Sequence, residues 1–314
     1  MFMKKLISVI LALALAMSLC VYAAAEDADY SGLKVTSPSG APALALALLA
    51  VENPDRYTYI GADTIAAAFA DKEADFIIAP VNAGAKLYKA GKSTYKLAAV
   101  VSWGNLFIAS QREELKKEDL NGASITLFGE NTINASVVLY ALEQNGIVPA
   151  EVTYLAGADK TKDLLVSDAD AVVVTAEPAL TAATFAVKKE EKTISSISVN
   201  ELLGQAAGME GYAQAALFVK AETLENQPDA VAAFLKAAED ACGKCETDTA
   251  AVAEAAVALE ILPNTKVAET AIPGCAIRFV GAEEAKEQIE KTAAIDLSQF
   301  GGELPADDFY YAAK

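Results

Sequence analysis

The sequence predicts an α/β protein built as two lobes. Three observations carry that prediction. Short apolar segments alternate with helix-forming segments through brief links, the signature of mostly parallel sheets with helices on both faces. A strand, polar turn and helix at Leu33–Leu49, LKVTSPSGAPALALALL, return in similar form at Ser124–Leu142. The 314-residue chain is long enough for about two domains with substantial cores.

The first 25 residues read as a secretory signal peptide. Lys4 and Lys5 form a basic start, Leu6–Leu19 an apolar core, and Ala23-Ala24-Ala25 a small-residue cleavage site before Glu26. Cys20 opens a second route, cleavage before a lipidated cysteine, which the large Leu19 in front of it disfavours. No other apolar run is long enough to span a bilayer. An extracytoplasmic location follows as an expectation, with membrane contact only through a lipid at Cys20.

In the first lobe, Leu33–Thr36 is a strand and Ser37-Pro38-Ser39-Gly40 a turn. Pro42 sits near the first position of the helix through Leu49, where its missing N–H costs nothing. Such a junction points free backbone N–H groups and a helix dipole at an anion or polar ligand. It is equally compatible with an ordinary βα turn. Tyr57–Ile60 is a strand, and Asp63 caps a helix over Thr64–Lys72. Asp75–Ala79 is a buried strand ending in Pro80-Val81-Asn82-Ala83-Gly84, with a helix to Lys89. Leu97–Val101 is a strand, followed by Ser102-Trp103-Gly104-Asn105 and a strand at Leu106–Ala109. Trp103, the only tryptophan, either stacks on a ligand or closes the core.

The second lobe begins after Ser110. Ser124–Gly129 is a strand, Glu130–Asn134 a turn and Ala135–Leu142 a helix. Val152–Leu155 is a strand, Thr161–Val166 a short helix, and Ala169–Thr175 a buried strand ending in Ala176-Glu177-Pro178. The helix Ala179–Ala186 follows, so Glu177 either bonds a ligand or caps that helix. Lys192–Val199 is strand and connector, and Gln214–Lys220 a strand crossing back. Helices over Pro228–Ala241, Thr249–Leu259 and Glu283–Ala293 then pack over a lobe and brace the hinge. In open α/β sheets ligands bind at the carboxyl ends of strands, which selects Ser37–Gly40, Pro80–Gly84, Ser102–Asn105 and the two matching turns of the second half. Gly40, Gly84 and Gly129 are expected to let backbone approach the ligand closely.

Composition removes whole classes of function. The chain has no histidine, which excludes Ser-His-Asp and Cys-His catalysis and His-based zinc sites. Loss of Lys4 and Lys5 takes the formal charge from −18 to −20, a poor partner for nucleic acid or anionic lipid. The three arginines are Arg56, Arg112 and Arg278, none in a candidate loop. Cys242-Gly243-Lys244-Cys245 is a CxxC at a helix's C-terminal end, where a thioredoxin-like motif would open a helix instead. With Cys275 it gives three thiols, one ligand short of a metal site. Whether any of the three pair is left open. Neither cofactor nor metal is expected.

An ordered set of segments resembles a family. Gly40-Ala41-Pro42, Ala79–Tyr88, Trp103–Ser110, Gly129–Asn134, Ala176-Glu177-Pro178, Gln227–Lys236, Ala271–Cys275 and Gly301–Tyr311 together look like a solute-binding protein of ABC transporters with the type II periplasmic-binding-protein fold. Within that class the chain is similar to the sulfonate, nitrate and thiamine-precursor group. The resemblance implies two Rossmann-like α/β lobes joined by hinge strands around a ligand cleft, residues 29–108 with 217–314 against 109–216. It implies an ABC permease and its ATPase as partners, a monomer, and hinge closure on a small organic solute. The ligand contacts it implies are Ser39, Gly40, Ala41, Asn82, Trp103, Thr132, Ile133 and Glu177, to which the turn itself adds Ser37. The basic residues that sulfonate and nitrate binders bring to an anion are not apparent, so an amine-bearing heteroaromatic fits as well. Two other functions stay open: a secreted binding module for a sensor or scavenger, and a hydrolase using Glu130 and Glu177.

Overall fold

The computed structural model describes residues 28–61 and 64–312. The expected signal peptide with Cys20, and the cap expected of Asp63, lie outside those residues. Among the described residues, eleven strands form two sheets. The first runs β11-β4-β10-β3-β1-β2, with β1 Val35–Pro38, β2 Tyr57–Ile60, β3 Phe76–Pro80, β4 Tyr95–Ser102, β10 Ala215–Lys220 and β11 Ile277–Gly281. The second runs β7-β6-β8-β5-β9, with β5 Leu106–Ser110, β6 Ser124–Phe128, β7 Glu151–Leu155, β8 Val172–Ala176 and β9 Ser195–Ser198.

Both sheets are mixed, and each contains a parallel three-strand set of the kind that the strand–helix alternation predicts. β1 pairs parallel with β2 and β3, and β6 parallel with β7 and β8. Strands that enter after a crossing run the other way: β10 is antiparallel to β3 and β4, and β5 antiparallel to β8 and β9. Burial follows from helices on both faces. Four of the five residues of β3 and all five of β8 are buried, so these strands read as continuous apolar runs rather than alternating ones.

Helices α1 Ala47–Glu52, α2 Ile65–Asp71 and α3 Val81–Lys89 serve the first sheet. Helices α4 Ile133–Gln144, α5 Ala158–Ser167, α6 Ala179–Lys188 and α7 Val199–Ala207 serve the second. After β10 come α8 Ala221–Asn226, α9 Pro228–Thr247, α10 Thr249–Ala258, α11 Thr265–Ala271 and α12 Ala282–Ile295.

Several expectations change. The segment after Gly40 opens as a 3-10 helix, Ala41–Leu46, and becomes α-helical only at Ala47, with Pro42 in its first turn as expected. The helix expected to end at Ala241 runs to Thr247, because Gly243 sits on its exposed side and no proline intervenes. The CxxC is therefore inside α9. Its thiols and that of Cys275 are free and buried; burial pushes Cys245 up to about 12 and Cys242 higher still. Helix α7, helix α11 and strand β11 were not expected. They fill stretches to which the sequence reading assigned no element.

Candidate ligand cleft

The chain passes between the sheets twice, through Trp103-Gly104-Asn105 and through residues 208–214. Pairing registers show which edges those crossings join. Ala215 opposes both Pro80 and Ser102, which sets the ends of β3 and β4 level with the start of β10. Leu106 opposes Ala176, which sets the start of β5 level with the end of β8. The carboxyl edges of the two parallel sets therefore face each other across the crossings, and the turns selected from the sequence lie along them.

A chain of polar side chains ties the crossings together. Ser102 Oγ donates to Gln214 Oε1 at 3.0 Å, Gln214 Nε2 to Asn105 Oδ1 at 2.9 Å, and Asn105 Nδ2 to the Glu177 carbonyl at 2.7 Å. Backbone bonds continue it: Gln214 N–H to the Ser102 carbonyl, Val81 N–H to the Gln214 carbonyl, and Glu177 N–H to the Asn105 carbonyl. Gln214 and Asn105 thus connect the ends of β3, β4 and β8. Sequence reading placed Asn105 in a strand-end turn and Gln214 in a strand without choosing either. The usable signal was an amide side chain at each of the two points where the chain changes sheet.

Beside this floor stands Asn82, in the first turn of α3. It is half-buried, and its Oδ1 is buried with no hydrogen-bond partner among the described residues. A buried acceptor without a partner costs about 1–3 kcal/mol, which a donor on a ligand or an ordered water would relieve.

The remaining expected residues divide by what their side chains already do. Ser39 is exposed, with its N–H donated to the Ile60 carbonyl. Gly40 has φ +102, a conformation that glycine adopts without strain, and its carbonyl accepts from Ala43 N–H. Ser37 is buried and its hydroxyl donates to the Pro38 carbonyl. Ala41 is buried in the cluster that also holds Leu44, Val252 and Ile272, and Ile133 is in the main core. Those two side chains face the interior, so they can present only backbone to a ligand. Thr132 Oγ1 donates to the Gly129 carbonyl at 2.6 Å and accepts from Ala135 N–H, capping α4.

Glu177 is 7 % exposed and follows the same rule. Its carboxylate accepts from Thr181 N–H at 3.1 Å and from Thr181 Oγ1 at 2.9 Å, so it caps the first turn of α6. Burial raises its pKa, and the two Thr181 bonds offset part of that. Gly274, in a turn after α11, closes over it: a Cβ there would stand 2.8 Å from Glu177 Cγ.

Trp103 is 4 % exposed. Its Nε1–H donates to the Arg278 carbonyl at 2.9 Å, and the Arg278 guanidinium lies over its ring at 4.8 Å. One face of the indole is therefore already covered. No arginine lies within a candidate loop, but β11, absent from the sequence reading, brings Arg278 from outside to the first crossing. Gly84 is corrected as well. It faces the core, where a Cβ would come within 2.3 Å of Phe218 Cζ, so its role is helix–sheet packing rather than ligand approach.

Contacts between the two sides already close much of the perimeter. Ser136 Oγ in α4 donates to Asp296 beyond α12 at 2.8 Å, Gln299 Nε2 donates to the Asn131 carbonyl, and Tyr212 OH donates to Asn134 Oδ1.

A family model described as NMT1/THI5 like matches residues 96–248, which run from β4 through both crossings to α9. A solved ABC transporter structure from Parabacteroides distasonis superposes with a TM-score of 0.76 at 21% identity, covering 90% of this chain and 99% of that one. The periplasmic aliphatic sulphonate binding protein SsuA from Escherichia coli gives 0.66 at 14% identity, covering 90% and 92%. A putative nitrate transport protein from Thermoplasma volcanium gives 0.54 at 11%, covering 86% and 94%. No curated protein sequence matches. The chain has the fold of the type II periplasmic binding proteins, two α/β halves joined by two crossings.

Proposed function

We propose that the protein is the extracytoplasmic solute-binding component of an ABC importer, holding a small organic molecule between its two halves and passing it to a permease and its ATPase. The observation that carries this reading is the Ser102–Gln214–Asn105 chain under an unpartnered Asn82 acceptor, at the place where two facing strand edges meet. The matching family model and the sulfonate- and nitrate-linked names of the similar structures support it.

The two bodies divide at the crossings through 103–105 and 208–214, which moves the expected divisions at 108/109 and 216/217: β5 pairs wholly in the second sheet and β10 wholly in the first, so residues 29–102 with those from 215 onward stand against 106–207. Contacts from both bodies reach the ligand only when they close, so the ligand favours the closed state by its differential affinity. Asn82 Oδ1 accepts from the solute. The exposed Ser39 hydroxyl and the backbone around Gly40 bond its polar end, and Thr132, Ile133 and Ala41 contribute backbone. Glu177 shapes the wall through its cap on α6. The ligand carries at least one N–H or O–H donor, which admits amine-bearing heteroaromatics and those sulfonates that also carry an amine or hydroxyl. Catalysis is not part of the proposal.

Native mass spectrometry of protein purified without refolding from its own host tests this. A bound small molecule of defined mass, lost in Asn82→Ala, is expected. An empty protein that also shows no thermal shift with sulfonates, nitrate, pyrimidines or amines refutes it.

A further inference from the structure

A groove of about 420 Å³ opens beside the crossings, lined by Trp103, Asn200, Glu210, Glu246, Thr249 and Arg278 among others. Of the expected cleft residues only Trp103 borders it. The volume lies within the range that small-molecule sites occupy, about 300–1,000 Å³.

Its walls come from elements on both sides of the crossings. Asn200 is on α7 and Glu210 in the second crossing, while Glu246 and Thr249 flank the α9–α10 junction and Arg278 is on β11. Asn200 Nδ2 donates to the carbonyls of Trp103 and Gly104, both at 2.9 Å, which fixes the first crossing against α7. Arg278 is held by its stack on Trp103 and by its own carbonyl, which accepts from Trp103 Nε1. Yet its side chain is 53 % exposed, and its nearest carboxylate, Glu210, stands at 3.9 Å. No hydrogen bond within the described residues engages its guanidinium donors. A guanidinium that is oriented and half-open, with only a loose ion pair to Glu210 and no hydrogen bond among the described residues, is prepared for a bidentate carboxylate. Glu210 and Glu246 stand on the same groove and suit a cation.

We propose that this groove is a second binding site, for a small zwitterion carrying both a carboxylate and an ammonium group, as a free amino acid does. The carboxylate takes the Arg278 fork from its open side, and the ammonium lies by Glu210 and Glu246. Because Glu210 belongs to one crossing and Arg278 to the strand beside the other, such a ligand prefers one hinge angle over the rest. Its occupancy is therefore coupled to solute binding in the cleft, and the coupling is reciprocal.

Calorimetric titration with L-alanine tests the proposal, with acetate and methylammonium as its two halves. The intact protein is expected to bind L-alanine saturably and each half at least about tenfold more weakly, the loss of about one charge-assisted bond. Arg278→Gln and Glu210→Gln are each expected to lose about tenfold, whereas Asn82→Ala, in the cleft, leaves L-alanine affinity unchanged. Glu210 is 86 % exposed, so its variant folds and decides the matter even if Arg278→Gln does not. The proposal is overturned by no binding to the intact protein, by acetate binding as tightly as L-alanine, by affinity that survives both groove variants, or by loss in Asn82→Ala alone, which would put the ligand in the cleft.

Discussion

Gly84 offers a measurement whose sign depends on the structure and not on helix propensity. In the middle of α3, glycine is a poor helix former, and alanine would gain about 1 kcal/mol on propensity alone. The structure predicts the opposite. A Cβ at Gly84 would lie 2.3 Å from Phe218 Cζ and 2.4 Å from Cε1. Phe218 is fully buried and packed edge-on against Phe69 at 5.4 Å, with Phe309 at 6.0 Å beyond, so its ring has nowhere to retreat. Relieving the clash needs a shift of about 1 Å in helix or ring, at the upper end of the roughly 1–3 kcal/mol that overpacking costs. The net expectation for Gly84→Ala is a loss of about 2 kcal/mol. Gly243→Ala supplies the control: the site is helical, exposed and open, with nothing within 4 Å of the new Cβ. It should gain up to about 1 kcal/mol. Urea denaturation monitored by circular dichroism reads both, with a lowered midpoint for the first and a raised one for the second. If Gly84→Ala is as stable as Gly243→Ala, α3 does not pack on β10 through the Gly84–Phe218 contact.

Other consequences follow from the cleft and its frame. Glu177 has a folded-state pKa raised above its ordinary value, so the folded protein holds the proton more tightly there, and this group's contribution to stability falls as pH rises from about 4.5 through the raised value. Glu177→Gln should therefore gain on the intact protein as pH increases across that window, read as the difference between two melting-temperature profiles; a constant difference would contradict it. Asp296 has its pKa lowered, chiefly by the Ser298 hydroxyl and partly by Ser136, so its tie to α4 is present above the ordinary carboxylate range and lost as pH falls below it. Ser136→Ala should narrow the acid loss of stability by a few tenths of a kcal/mol to about 1. Gln214→Leu removes both links of the polar chain between crossings and leaves Asn105 Oδ1 unpaired, costing about 1–3 kcal/mol in urea denaturation. Trp103→Ala should lower stability by about 3–5 kcal/mol while weakening solute binding only through the hinge, since the indole is core rather than a free stacking face. A cleft ligand whose affinity falls a hundredfold in a Trp103→Phe variant of unchanged stability would contradict that assignment.

What the sequence disclosed and what it hid have separate physical causes. Strand ends were legible because a continuous apolar run stops where the chain must turn, as at Phe76–Pro80 and Val172–Ala176. The polar turns beyond them were legible for the same reason, and they lie on the facing edges. The role of each side chain in those turns was not, because a capping residue and a ligand-binding residue are drawn from the same types. Glu177 and Thr132 both cap helices, and only the positions of Thr181 N–H and Ala135 N–H reveal it. Helix α7 carried a readable stop, Gly208 in the left-handed conformation at φ +64, but its start follows a short half-buried strand with no break in polarity. Strand β11 pairs only with β4, with a register irregularity between Ile277 and Val280, so its five residues show no alternation that would mark them. That one omission had the largest effect on the site, since β11 is what brings a cation to Trp103. A short edge strand is held by its neighbour rather than by its own pattern, and so the residue that most alters the charge beside the crossings came from the stretch where sequence pattern carries least.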